Sequence, residues 1–196
     1  MKKLLSLCLT TIFLFILWGC GKQPTPLERA MSLYQEFLAS DHPQESEGAI
    51  FYKNEWLRYA FFDMNGDGIP ELHLRTLFYY DILTCRNGEL CVWKSLNTVA
   101  EPLNNGAVLI TRTDLDNFSG YTYIEYDFLG NETLRIDFGE SSKHFFNDDG
   151  WIYASTSYYY FEGEEVSKEE WDTLTEPYFS IGSDKIEWID VEPSHP

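Results

Sequence analysis

The chain has 196 residues, with 32 Asp and Glu against 14 Lys and Arg, a formal net charge of −18 at neutral pH. That excess of acid excludes a nucleic-acid partner and argues against electrostatic adhesion to an anionic membrane. The apolar share of 44% is enough for a packed core, so the chain is neither disordered nor fibrous.

Lys2 and Lys3 form a short basic segment, and Leu4–Trp18 is an unbroken apolar or small-polar run. At about fifteen residues it falls short of the roughly 20 a spanning helix needs, and no charged stop-transfer flank follows. The run closes on Leu17-Trp18-Gly19-Cys20, similar to a lipobox. Residues 1–19 therefore read as a lipoprotein signal peptide, with Cys20 as the lipid-modified first residue of the mature chain. Trp18 departs from the pattern, which has a small residue there, and predicts slow processing. The protein is expected to be extracytoplasmic and held at the bacterial cell membrane by its acyl chains. Losing Lys2 and Lys3 makes the mature chain still more acidic.

Residues 20–25 read as a tether, 26–191 as a single α+β domain and 192–196 as a frayed tail. Thr25, Pro26 and Glu28 make a capping box, and Leu27, Ala30, Met31, Tyr34, Phe37 and Leu38 recur at helical spacing, predicting an N-terminal amphipathic helix through about Ala39. The period then changes to two. Leu57–Phe62 and Glu71–Leu77 read as strands flanking an Asp/Asn/Gly loop, Asn87-Gly88 as a hairpin turn, and Ala107–Thr111 as a strand. In Tyr121–Phe128 and Thr133–Phe138, Ile124, Tyr126 and Phe128 are expected to share one face with Leu134, Ile136 and Phe138, leaving the other face wet. Trp151–Phe161 reads as a long aromatic strand or hairpin and Glu162-Gly163 as a turn. Ser167 and Glu170 cap a short late helix that Pro177 should end near Thr175, and Ile186–Val191 reads as a last strand. The expected class is α+β, with a mostly antiparallel β-meander between the helices.

Asp63-Met64-Asn65-Gly66-Asp67-Gly68-Ile69-Pro70-Glu71 carries the strongest chemical signal. Oxygen-bearing side chains stand at positions one, three, five and nine, and Gly68 at position six permits the turn that aims the Ile69 carbonyl inward. Asp63, Asn65, Asp67, Ile69 and Glu71 are thus candidate ligands of a structural Ca2+. An EF-hand would place a bidentate Glu at position twelve, where this chain has Leu74, and would flank the loop with helices instead of strands. The loop is EF-hand-like in ligand order and resembles the calcium hairpins of FG-GAP repeats, a combination that predicts weak binding completed by water or a remote carboxylate. More broadly, Tyr59–Leu72, of the form D-x-N-G-D-G-x-P-E-L, and the late Glu165–Trp171 segment resemble a group of uncharacterised Gram-positive-type bacterial lipoproteins. That resemblance implies calcium and location, without an activity.

Other candidates are weaker. Asp114, Asp116 and Asn117 lack the position-six glycine and read as an ordinary turn, as does Asn147–Gly150. Cys85 and Cys91 would oppose each other across a three-residue loop, forming a disulfide, and would lie on opposite faces across a two-residue Asn87-Gly88 turn; sequence leaves both open. His42, His73, His144 and His195 share no metal spacing, and no nucleophile or metal-hydrolase motif is present. The mature tryptophans Trp56, Trp93, Trp151, Trp171 and Trp188 and the Tyr158–Phe161 run either fill the core or form a stacking surface, with Tyr158 and Tyr160 on one side and Tyr159 on the other. The reading is a surface-tethered binding or scaffold module for a glycan, peptide or partner protein. The alternative is a hydrolase of envelope or dietary polymers using a carboxylate pair.

Overall fold

The computed structural model describes residues 23–40, 44–46, 49–51, 58–76, 79–96, 100–113 and 118–191. The expected signal peptide, Cys20, the start of the expected tether, Trp56, His42, His195, Asp114, Asp116, Asn117 and the tail from 192 lie outside them.

Helix α1 (Pro26–Ala39) starts at the expected capping box: the Glu28 amide donates to Thr25 Oγ1 at 3.1 Å and the Thr25 amide donates to Glu28 Oε2 at 2.7 Å. It buries Ala30, Tyr34 and Phe37. A short hairpin follows, β1 (Gln44–Ser46) and β2 (Ala49–Phe51). Then come β3 (Arg58–Phe62), β4 (Glu71–Arg75), β5 (Tyr80–Arg86) and β6 (Glu89–Leu96), and, in a different sheet, β7 (Ala100–Pro102), β8 (Val108–Thr113), β9 (Phe118–Tyr126), β10 (Glu132–Phe146), β11 (Ile152–Phe161) and β12 (Glu164–Val166). Helix α2 (Lys168–Phe179) and β13 (Ile189–Asp190) close the chain.

The α+β expectation is corrected here. Among the described residues two peripheral helices accompany two large antiparallel sheets, so the fold is mainly β. The five-stranded sheet runs β13-β3-β4-β5-β6 and the six-stranded sheet β12-β11-β10-β9-β8-β7. Alternation sorts their side chains into layers. Leu72, Leu74 and Leu83 face α1, where Ala30, Tyr34 and Phe37 cover them. Tyr80, Ile82 and Trp93 face the other way, against Val108, Ile110 and Ile124 of the six-stranded sheet. Beyond that sheet, Tyr123 and Phe138 pack on Trp171 of α2. β4 and β5 are therefore buried on both faces, although β4 turns Glu71, His73 and Arg75 away from α1, so an apolar pattern alone does not announce its burial. His73, fully buried between the sheets, has Nδ1 2.5 Å from the Tyr80 hydroxyl and Nε2 3.1 Å from the Phe62 carbonyl. Burial pushes its pKa down to about 4, so the ring is neutral.

Four local expectations also change. The pairing of β9 with β10 shifts between Glu132 and Leu134, which sets Ile136 opposite Tyr123 and Phe138 opposite Tyr121. One extra residue flips the faces, so Ile124 and Tyr126 point to the five-stranded sheet while Ile136 and Phe138 point to α2. Second, β10 runs to Phe146 and pairs with β11 through a Ser/Thr/Lys-rich stretch that has no apolar alternation to announce it. Third, α2 continues past Pro177. The proline sits in the last turn, where it forfeits one backbone bond. Tyr178 and Phe179 then pack against Tyr123 and Tyr121, at ring separations of 4.8 and 5.1 Å. The last strand is also shorter than Ile186–Val191, confined to Ile189 and Asp190 against Tyr59 and Arg58.

The β5–β6 hairpin takes the two-residue turn, with Arg86 opposite Glu89 and both Asn87 and Gly88 at positive φ (54° and 83°). Cys85 then pairs with Leu90 and Cys91 with Thr84, which puts the thiols on opposite faces, and neither is in a disulfide.

Candidate metal loop and ligand groove

Asp63–Pro70 joins β3 to β4, and its backbone is organised by the side chains singled out in the sequence. The two Asp63 carboxylate oxygens each accept one amide, from Gly66 and Gly68, both at 2.8 Å. Asn65 Oδ1 accepts the Asp67 amide at 2.9 Å and Asp67 Oδ1 the Ile69 amide at 2.8 Å. Gly66 and Gly68 have φ of 76° and 85°, a region where only glycine is comfortable. At position nine Glu71 folds inward: Oε2 accepts the Met64 amide at 2.9 Å and Oε1 accepts Asn65 Nδ2 at 2.6 Å.

Glu71 is 1% exposed. Burial, reinforced by the negative charges of Asp67 and Asp63, pushes its carboxyl up to about 7. A buried acid beside two others is the electrostatic situation that a cation relieves. Among the described residues no three His, Cys, Asp or Glu side chains are grouped so as to hold a metal on their own. A cation here would draw on the Asn65 amide oxygen and the Ile69 carbonyl as well as the three acids, the mixed oxygen set that calcium accepts. Leu74, at position twelve, lies in the core under α1 and contributes nothing to the loop. Nor does Asn147–Gly150: it is the β10–β11 turn, where the Trp151 amide donates to Asn147 Oδ1 at 2.8 Å, at the other end of β10.

Met64 ties the loop to the rest of the molecule. Its side chain is buried between the sheets, and its carbonyl lies against Gly106 in the β7–β8 turn, where a Cβ would stand 2.2 Å from the oxygen.

A second feature was not legible in the sequence. On the face of the six-stranded sheet that carries Ile110 and Ile124, the surface opens into a groove of about 580 Å³, lined among others by Arg112, Phe118, Thr122, Arg135, Asp137, Ser141 and Tyr160. Gly120 and Gly139 are paired across β9 and β10, and the Phe118 ring lies over both; a Cβ at Gly120 would meet it at 2.7 Å. The glycines thus seat an aromatic ring flat on the sheet. Paired strand glycines beside an aromatic are the one signal that could have pointed here. Arg135 is held by Glu132 (3.1 and 3.2 Å), and Asp137 accepts the Thr122 hydroxyl at 2.5 Å. Arg112 has no ion-pair partner among the described residues. Asp137 is the one carboxylate among these described lining residues.

The aromatics divide between core and surface. Tyr159 packs on Trp171 (5.5 Å), Trp93 on Tyr126 (5.7 Å), and Phe138 stacks on Tyr121 (5.4 Å). Tyr160 lines the groove, and Trp151 is 73% exposed at the β10–β11 tip. The two described histidines do not assemble: His73 is in the core and His144 on β10. Among the described residues no helix is long and apolar enough to cross a membrane. Comparison with models of protein families, with curated proteins and with solved structures finds no match for this chain.

Proposed function

We propose that the protein is a lipid-anchored, extracytoplasmic binding module, stabilised by calcium in the Asp63–Glu71 loop, that holds a glycan or peptide in the groove of its six-stranded sheet. The groove is the observation that carries this reading. It offers aromatic surface from Phe118 and Tyr160 for stacking, a guanidinium at Arg112 with no ion-pair partner among the described residues and a hydrogen-bond acceptor at Asp137. Its single acid among these lining residues favours binding over hydrolysis, because glycoside cleavage by a carboxylate pair needs two acids flanking one bond. Lipidation at Cys20 would keep this surface at the cell envelope, where polymers of that kind occur and calcium is abundant.

An array of glycans and peptidoglycan fragments, probed with calcium present, tests the proposal. At least one compound class is expected to bind. Arg112→Ala and Tyr160→Ala are each expected to weaken the strongest binder about tenfold, the usual cost of losing one anchoring side chain. An empty array, or binding indifferent to both substitutions, refutes the reading.

A further inference from the structure

We infer that the end of the molecule bearing the N-terminus docks on the bilayer surface, with Phe128 and Leu129 entering the zone between headgroups and acyl chains. This rests on the reading of Cys20 as the lipid attachment site. The described chain begins only three residues beyond Cys20, and the tether cannot carry the domain far: each residue spans at most about 3.6 Å. Pro24 and Arg29 line a common cleft with Asn87 and Gly88 of the β5–β6 turn, and the Arg29 guanidinium lies over Gly88. From the foot of that hairpin, Arg86 reaches the β9–β10 turn and donates to the Phe128 and Leu129 carbonyls at 3.4 and 3.3 Å. The point where the chain leaves for its anchor therefore stands beside Phe128 and Leu129, which are 67% and 53% exposed.

Exposed apolar side chains alone would mean little, but the backbone of this turn is also prepared for a dry environment. The Phe128 carbonyl accepts a second bond from Trp93 Nε1 at 3.2 Å, and the Gly130 carbonyl accepts from Lys94 Nζ at 3.0 Å. The Leu129 and Asn131 amides donate to Asp127 Oδ1, and the Gly130 amide to the Asp127 carbonyl. A turn whose polar groups are matched internally can leave water without stranding donors or acceptors. Charge supports the same orientation. Around the β9–β10 turn Arg86, Lys94 and Arg135 stand with Glu89, Asp127 and Glu132, whereas the whole chain carries 32 acids against 14 bases. This end escapes the repulsion that the rest of the surface would meet at an anionic headgroup layer. The other exposed apolar tip, with Phe146, Trp151 and Ile152, lies at the far end of β10, roughly 50 Å away at about 3.4 Å per residue, next to Asp148 and Asp149. Seated on Phe128, the domain holds that tip away from the bilayer.

The test uses the full lipidated protein in phosphatidylcholine vesicles containing bromine-labelled acyl chains, which quench tryptophan on contact. Phe128→Trp places a reporter on the exposed turn without touching the core. Its added emission is expected to be quenched at least twofold on the vesicles, while Trp151→Phe leaves the quenching of the other tryptophans unchanged. Floating protein whose added Trp at 128 is no more quenched than in buffer overturns the docking. So does quenching that disappears with Trp151→Phe, since it would put the far tip in the lipid. Protein that fails to float with the vesicles refutes the anchor at Cys20, and the docking with it.

Discussion

Replacing Asp63 and Asp67 together by alanine is expected to abolish a calcium-dependent rise in melting temperature of roughly 3–10 °C. The size follows from mass action. A weak extracellular-type site at ten to a hundred times its dissociation constant contributes about 1.4–2.7 kcal/mol, and each kcal/mol moves the midpoint of a domain this size by about 2–4 °C. Glu71 adds a pH signature in chelator. Its carboxyl is raised to about 7 in the folded chain, by burial first and then by Asp67 and Asp63, against an ordinary 4.5. The folded state thus binds the proton more tightly, and the stability this supplies is complete below about 4.5 and is lost as pH rises through about 7. Calcium needs the ionised carboxylate, so its stabilising effect should grow between pH 5 and 8. Differential scanning calorimetry at both pH values, with calcium and with chelator, measures this directly. Equal melting of the native and doubly substituted proteins in all four conditions rules out the site.

Gly106→Ala should lower stability by about 3 kcal/mol in a urea titration, and Gly66→Ala by only about 1 kcal/mol. Both glycines have positive φ, 84° and 76°, so both alanines meet the same left-handed backbone penalty. Only the Gly106 Cβ also collides with another strand connection, 2.2 Å from the Met64 carbonyl, whereas nothing lies within 4 Å of a Cβ at Gly66. Backbone cannot rotate aside as a side chain can, so Met64 must shift, and its amide is what holds Glu71 Oε2. Gly106→Ala should therefore also blunt the calcium response. Equal losses for the two variants would contradict the packing of the β7–β8 turn against the loop.

Local chemistry was readable from the sequence, and pairing between distant segments was not. The two capping boxes, the Asn87-Gly88 turn and the self-bonded Asp63–Glu71 loop are set by residues within a few positions of one another, and their spacing states them. The alternation of Tyr158, Tyr159 and Tyr160 is likewise local, and Tyr159 alone turns to Trp171. What failed depended on partners far along the chain. The extra residue near Thr133 inverts the faces of β10, and no rule of periodicity locates a bulge. Period-two patterning marks Ala107–Thr111 as a strand without saying which of two sheets it joins. Where β10 and β11 pair through Ser142–His144 and Ser155–Ser157 they are polar on both sides, so they carry no stripe to read. The groove inherits all three difficulties: Arg112, Phe118, Asp137 and Tyr160 come from four strands and meet only through register.

The groove is the centre of the account, and titration of the isotope-labelled protein with peptidoglycan fragments, followed by nuclear magnetic resonance, tests it most directly. Saturable shifts confined to Arg112, Phe118, Asp137, Tyr160 and their strand neighbours, with calcium present, are the expected result. Shifts that map elsewhere on the molecule, or none with any fragment or glycan, would contradict it.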